Sequence, residues 1–537
     1  MSSIAPFDPI VPGEYRWKSS PDSPKLWRRP LANEAMWCER PKDSRDLFVY
    51  ASLTFKFPIF RNTLSKAIGA AWQRLQHDVP ALLLTTGTDP KDGKRYILYE
   101  SPQNQEEVNQ WAVRTSAFAF GAEQQSFEDL RSRVLSKKRS NHADNVYLFS
   151  HARFAAESLI LVSGLQVMIY LDHLVTDGIG ARILLGRYLS LLSFMISTPT
   201  QFKFEWQENH KLLSQPWICL MTCNQELSGI MYNNRALWNQ EILTEHMKNN
   251  HGLPLLRAER PETQETYFIT LSEAQSTSLL EGVKEIVGPD SNITHLGHAA
   301  MVLALLRSSR LTNSSSTSPQ PLYSPCWLNG RRYLRPSDAN PFPTQDYIPL
   351  CISFAPIVFP DLKEISLSRS ANRAVIKSKL AKACKIATEQ YGNIKRQKSI
   401  LPESVLLFES FGEKMRARQQ NQMSTEDQHV AAPMSKVQPI STKTADPFFL
   451  SDGITEQYIA RQYFATSGVN KIKLDRPIFE VDDVKFAANA DDRLILRMSS
   501  WRDRITISGE WRGCDYERGM IERFLEDVKS IMFSILD

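Results

Sequence analysis

An α/β protein of two layered domains is the fold this sequence predicts, and three observations predict it. Runs rich in β-branched and aromatic residues alternate with helical patterns in both halves of the chain. The order strand, helix, strand recurs after a polar stretch near the middle. At 537 residues the chain is also too long for one compact core.

The elements justify this in order. The opening residues, rich in Pro, Ser and Trp, read as an arm laid over a domain surface. Residues 47–57 are dense in aromatic and β-branched side chains and predict a strand. Leu64, Ile68, Ala71, Trp72 and Leu75 then recur at helical spacing. Two strands are expected at 80–88 and 95–99, around the turn Asp89-Pro-Lys-Asp-Gly93, and a short helix at 127–135. Residues 158–163 and 166–171 predict a hairpin that ends on His173. From Ile179 to Met195 the pattern is helical, with Ile183, Leu184, Tyr188, Leu191 and Leu192 on one face.

Residues 206–264 read as a crossover, with one amphipathic patch at 236–247. The division is therefore an N-terminal domain at 1–205, that crossover, and a C-terminal domain at 265–537. The second half predicts a strand at 265–270, a helix opened by Ser272, and another at 294–307. Strands follow at 322–328 and 347–358, then a helical stretch at 366–391. Residues 415–445 are polar and poor in apolar side chains, which predicts a mobile loop. Two strands and a helix close the chain, at 493–498, 504–511 and 516–535.

Composition excludes several function classes. The net charge of +5 is mild, and the most basic run, Lys137-Lys138-Arg139, is short and reads as a solvated loop, so no nucleic-acid partner is expected. Seven cysteines are scattered without a Cys-x-x-Cys pair, which predicts reduced, mostly buried thiols. The first residues carry neither a basic leader nor an apolar core, so no secretory signal is expected. The apolar run at 159–171 is shorter than the roughly 20 residues of a membrane helix. A cytoplasmic protein without a membrane span is the expectation, and the sequons at Asn292 and Asn313 then carry no glycan.

The stretch Tyr170-Leu-Asp-His173-Leu-Val-Thr-Asp177-Gly178 concentrates the chemistry. It sets one imidazole between the end of an apolar strand and the start of a helix. Histidine titrates near neutral pH without help, and a rigid setting holds its ring within reach of a substrate proton. His173 is thus the candidate general base. Asp177 sits too close on a turning backbone to be a triad partner; it suits a loop-locking pair with an arginine elsewhere. Gly178 allows a turn that a side chain would obstruct, and its amide begins the positive end of the helix. Alone, any histidine is more often structural; the neighbouring aspartate, glycine, strand and helix tip the reading to function. His295 and His298 share a helix face and suggest a metal pair, but no third ligand accompanies them and apolar residues surround them, so a packed core helix is the better reading. The nucleophile elbow, the Walker loop and the dinucleotide glycine motif are all absent.

The spacing His173-x-x-x-Asp177-Gly178 resembles the signature of the coenzyme A-dependent acyltransferase superfamily, which includes chloramphenicol acetyltransferase, the plant BAHD enzymes and condensation domains. Residues 13–17, the strand at 47–57 and the Leu64 to Pro80 segment resemble the family's opening. Pro325 to Tyr333 resembles the segment carrying its structural arginine, which makes Arg331 the implied partner of Asp177, with Arg332 the alternative. Asp177 to Arg182 and Ser451 to Tyr458 are similar to stand-alone fungal secondary-metabolism enzymes of the trichothecene 15-O-acetyltransferase type.

The resemblance implies two chloramphenicol-acetyltransferase-like domains, each a mixed β-sheet with flanking helices, with an active-site tunnel between them. It implies acyl transfer, acetyl foremost, from coenzyme A to a hydroxyl of an apolar small molecule. No permanently bound cofactor is expected; acyl-coenzyme A is a co-substrate, and a monomer is expected. Two alternatives stay open: an acyl carrier protein as donor, and a non-catalytic binding member of the fold. Asp172 stands where condensation domains carry a first histidine, and no carrier segment follows, which speaks against assembly-line chemistry. The plant-type Asp-Phe-Gly-Trp-Gly motif is absent; Ser451-Asp-Gly and Ser499-Ser-Trp501 are its faint stand-ins. The Gly178 amide and the Ser499 hydroxyl are the candidate oxyanion donors.

Overall fold

The computed structural model describes residues 10–536 except 21–22, 90–92, 141–143, 199–205, 223–225, 249–251, 256–261, 309–320, 336–345, 410–411, 413–443 and 468–471. Most of the loop expected at 415–445 lies outside the described residues, as do Cys223 and the Asn313 sequon; Thr444–Ala445 is a short strand paired with Leu253–Pro254.

Two six-stranded mixed sheets dominate. The first runs, edge to edge, through Gln462–Ser467, Ile472–Ala488, Asp46–Phe60, Leu161–Asp172, Val146–Phe154 and Ser116–Gly121. Its centre is a near-continuous apolar pair, Asp46–Phe60 against Leu161–Asp172, in antiparallel register from Asp46↔Asp172 to Thr54↔Gly164. The second runs through Gln264–Thr270, Arg504–Arg512, Ile495–Trp501, Phe448–Ile454, Cys326–Asn329 and Ile352–Ala355. Helices Ile293–Ser308, Arg373–Arg396 and Arg518–Phe533 pack together beside this second sheet.

Several expected elements take a different form. No hairpin separates residues 158–163 from 166–171: one strand, Leu161–Asp172, runs straight through Gly164, whose missing side chain leaves room for the Leu53 carbonyl and Arg153. The hairpin partner is Val146–Phe154. Residues 80–83 form a 3₁₀ turn, and the strand begins only at Thr85. The Lys137–Lys138 run belongs to the helix Phe127–Ser140, not a loop; Lys138 is buried and paired with Asp46 at 2.7 Å and Asp43 at 2.9 Å.

Chain order and sheet membership part company at two places. Gln462–Ser467 and Ile472–Ala488, assigned by position to the C-terminal domain, complete the N-terminal sheet, with Phe479↔Phe55 through Ala488↔Leu47 in register. The opening arm crosses the other way. Tyr15, Leu31 and Trp37 are buried in the C-terminal core, and the Tyr15 hydroxyl donates to Glu409 at 2.9 Å. The two halves are thus strapped together by strand exchange as well as packing.

The helix Gly178–Ser197 is long and apolar enough, by length and composition alone, to cross a membrane. Most of it is buried against the helix Arg61–Asp78 and the strand Gln462–Ser467, which is how a core helix sits. The six described free cysteines include four buried ones, Cys38, Cys326, Cys351 and Cys384.

Candidate active site

The apolar ladder Asp46–Phe60/Leu161–Asp172 ends at Asp172, and His173 is fixed one residue beyond it. Its backbone amide donates to the Arg45 carbonyl at 2.8 Å. The imidazole lies flat on Trp37, with ring centroids 4.1 Å apart and planes 14° apart. Arg45 ties this arrangement together from behind. Its guanidinium pairs with the buried Asp172 carboxylate at 2.9 Å and donates to the Trp37 carbonyl at 3.0 Å. Asp172 in turn accepts from the Leu174 amide at 2.8 Å. The residue standing where condensation domains carry a histidine therefore anchors the turn that presents His173.

The His173 ring is half-buried, its Nδ1 shut away from solvent without a partner in hydrogen-bond geometry. Burial pulls its pKa down to about 4; Asp177 and nearby backbone act in the opposite sense without overcoming it. This departs from the unperturbed imidazole expected from sequence: the cost of a charged ring in this setting outweighs the nearby carboxylate. The ring is a neutral acceptor at any pH near 7.

Asp177 is the N-cap of Gly178–Ser197, accepting from the amides of Ile179 at 3.0 Å and Gly180 at 2.9 Å. The same carboxylate meets Arg331 Nη1 at 3.0 Å and Nη2 at 2.9 Å, and accepts from the Cys351 amide at 2.8 Å. Arg331 is fully buried and also donates to the carbonyls of Tyr347 at 2.7 Å and Pro349 at 3.0 Å. Arg331 thus meets Asp177, while Arg332 is exposed and lines the cavity mouth. Gly178 is not required by its backbone angle, and a side-chain carbon there would only be tight against Phe486 at 3.3 Å. The demanding position is Gly180, where such a carbon would lie 2.0 Å from Thr176 Oγ1 and 2.1 Å from the Ile348 carbonyl.

A cavity of about 820 Å³ opens beside these residues, within the usual size range for small-molecule sites. Met36, Trp37, His173 and Gly178 line it from one half, and Trp327, Tyr391, Phe448 and Ser451 from the other. A second cavity, of about 540 Å³, is lined by Leu75, Arg187 and Asp346 and does not include His173; Arg187 and Asp346 pair with each other at 2.8 Å.

Sequence reasoning missed a buried charge chain on this wall. Arg182 of the motif helix pairs with Asp452 at 2.5 Å, Asp452 with Arg497 at 3.0 Å, and Arg497 with Glu510 at 2.7 Å. Both guanidinium groups stand 4.6 Å from the Phe486 ring. The available signal was Arg182 itself, one of two cations in an otherwise apolar helix and the one set among apolar neighbours in its first turns, which needs a buried partner. Asp452 and Gly453 line the cavity, and Ser499 pairs with Gly453 on the neighbouring strand. His295 lines the cavity rather than merely packing in the core; His298 has both ring nitrogens engaged, by the Tyr391 hydroxyl at 3.0 Å and Ser324 at 2.8 Å.

Comparison with known proteins bears on the family and the fold. Residues 7–410, about three quarters of the chain, match the family model described as 15-O-acetyltransferase Tri3. The trichothecene 15-O-acetyltransferase TRI3 of Fusarium sporotrichioides is 24% identical over 557 aligned positions, covering 99% of both chains. The trichothecene O-acetyltransferase TRI3 of Trichoderma arundinaceum is 25% identical, again covering 99% of each. The solved structure of the Fusarium protein superposes with a TM-score of 0.81, covering 98% of this chain and all of that one. The first condensation domain of the CDA synthetase shares the fold at a TM-score of 0.52, over 94% of this chain and 95% of that one.

Proposed function

We propose, for a chain that belongs to the 15-O-acetyltransferase Tri3 family and is therefore an acyltransferase, that it moves an acetyl group from coenzyme A to a hydroxyl of a trichothecene-like acceptor, with His173 as general base. One observation carries the reading: a neutral imidazole, held by stacking and backbone, at the wall of a cavity lined from both halves of the chain. The acceptor class comes from the relatives' names, and the apolar lining from Trp327, Leu328, Phe408 and Phe448 suits such a body.

In this reading Nε2 takes the hydroxyl proton as the oxygen attacks the thioester carbonyl carbon. The tetrahedral oxyanion then collapses, the carbon–sulfur bond breaks, and the imidazolium returns the proton to the leaving thiolate. The products are an acetyl ester and free coenzyme A. The Gly178 amide, at the positive end of the motif helix and on the cavity wall, is the oxyanion donor. Asp177 and Arg331 do not touch the reactants; they hold the loop that presents His173.

Purified protein incubated with acetyl-coenzyme A and a trichothecene bearing a free 15-hydroxyl tests this. Thiol release together with the mass of the acetyl ester is the expected result. Turnover with acetyl-loaded carrier protein and none with acetyl-coenzyme A would overturn the donor assignment, and no ester from either donor would overturn the acceptor assignment.

A further inference from the structure

The first turn of the helix Ile293–Ser308 brings Thr294 and His295 to the wall of the same cavity, with Asn292 just before it and Ser451 beside it on Phe448–Ile454. His295 is only 3% exposed. Its Nδ1 meets Thr388 Oγ1 at 3.0 Å. Thr388 has one hydroxyl proton, and the Cys384 carbonyl 2.9 Å away can only accept it. With its proton on that carbonyl, Thr388 Oγ1 keeps two lone pairs for the Ser291 hydroxyl 2.9 Å away and for His295, and in this arrangement Nδ1 carries the ring hydrogen and Nε2 the lone pair. Burial pushes the His295 pKa down to about 4, so the ring is neutral near pH 7. Nε2 is not among the sealed polar atoms and finds no partner among the described residues, so it opens on the cavity its residue lines.

Donors stand beside this acceptor. Thr294 Oγ1 and Ser451 Oγ are 2.6 Å apart; one donates to the other, and the second keeps its proton for the cavity. Asn292 caps the helix with Oδ1, at 2.9 Å from the Thr294 amide and 3.3 Å from that of His295, which leaves its amide hydrogens free of that duty. A lone pair flanked by donors matches a hydroxyl group, which gives one hydrogen and accepts another.

We infer that this wall is a second polar subsite, which binds a further hydroxyl of the acceptor by accepting from it at His295 Nε2 and donating to it from the Thr294–Ser451 pair. The acceptor is then at least a diol: one hydroxyl reacts at His173 and the other is held here. The inference rests on the acyl-transfer reading above.

Calorimetric titration reads it without turnover. The probes are two trichothecene 15-alcohols, one with a further free hydroxyl and one without, titrated into the wild type, His295→Phe and Thr388→Val. His295→Phe should weaken binding of the diol roughly three- to tenfold, the worth of one hydrogen bond, and leave the mono-alcohol unchanged. Thr388→Val, which keeps the imidazole but removes its orienting partner, should weaken the diol in the same direction by less, and it keeps the test available should the Phe variant misfold. Equal effects on both probes, or none on the diol in either variant, would overturn the subsite. Wild-type thiol release measured alongside decides the acyl-transfer reading separately.

Discussion

Asp177 holds Arg331 across the two halves of the chain while capping the helix that begins at Gly178. Four hydrogen bonds converge on one buried carboxylate, from Arg331 Nη1 and the amides of Cys351, Ile179 and Gly180, with Arg331 Nη2 paired to it at 2.9 Å. That number fills the lone-pair sites a carboxylate has. The aspartate therefore sets the start of the motif helix and docks it on the second half, four residues past the candidate base. In the proposed mechanism its role is architectural, acting on the reaction only through the position of His173.

Asp177→Asn removes the charge beside a fully buried guanidinium. Breaking one partner of such a pair costs about 3–5 kcal/mol, so the urea midpoint should fall sharply and activity with it. Asp177→Asn combined with Arg331→Met should recover part of the stability, because no uncompensated charge then remains. Equal midpoints for wild type and Asp177→Asn would contradict this account.

Trp37 stacks on the His173 ring and Arg45 holds the turn that presents it; neither supplies the proton-accepting nitrogen. Trp37→Phe keeps a stacking surface and should retain most of kcat, whereas Trp37→Ala frees the imidazole and should lower kcat about tenfold or more, in line with the sensitivity of catalysis to misplacement. Steady-state kinetics with separate kcat and KM checks this; a change confined to KM would assign Trp37 to substrate binding instead.

The two motif glycines should respond oppositely to added carbon. Gly180→Ala forces its methyl into Thr176 and the Ile348 carbonyl and should destabilise the fold strongly. Gly178→Ala is tight only against the Phe486 ring, at 3.3 Å, which a small shift of that ring relieves, and should fold. Melting temperatures of the two variants decide the matter.

Acid should unfold this protein through its histidines. Burial, the leading cause in each case, holds His173 and His295 at about 4 and His246 and His298 at about 3 in the folded chain. The unfolded chain binds those protons near pH 6.5, so each group's contribution is fully present above that value and lost as pH falls below it. The loss is at most about 1.4 kcal/mol per group per pH unit. Urea midpoints should therefore be flat above about pH 7 and fall steeply towards pH 5. The kcat/KM profile should show no inflection at 6.5 from His173, and activity should fail only with the fold.

The motif, the strand at 47–57 and the helix after it were legible in sequence because each is local, whereas the pairing of that strand with Leu161–Asp172 was not. Residues 47–57 and the helix pattern from Leu64 to Leu75 match Asp46–Phe60 and Arg61–Asp78 closely. The strand Ile472–Ala488 was not legible: Lys473, Asp475, Arg476, Asp482 and Asp483 break its apolar pattern, and its partner lies at the other end of the chain. Gly164 was misread as a turn, since a glycine in a strand and a glycine in a hairpin look alike without the facing backbone. Arg331 was reached only through resemblance. Trp37, Arg45, the Arg182–Asp452–Arg497–Glu510 chain and the cavity face of His295 depend on tertiary contacts between distant segments, which no local pattern encodes.

The most direct measurement is thiol release from acetyl-coenzyme A in the presence of acceptor by His173→Ala, with its melting temperature taken alongside. A positioned base contributes about 10²–10⁴-fold, so turnover should drop at least a hundredfold while the variant melts with the wild type. Undiminished turnover from a folded His173→Ala protein would contradict the assignment of this imidazole as the base.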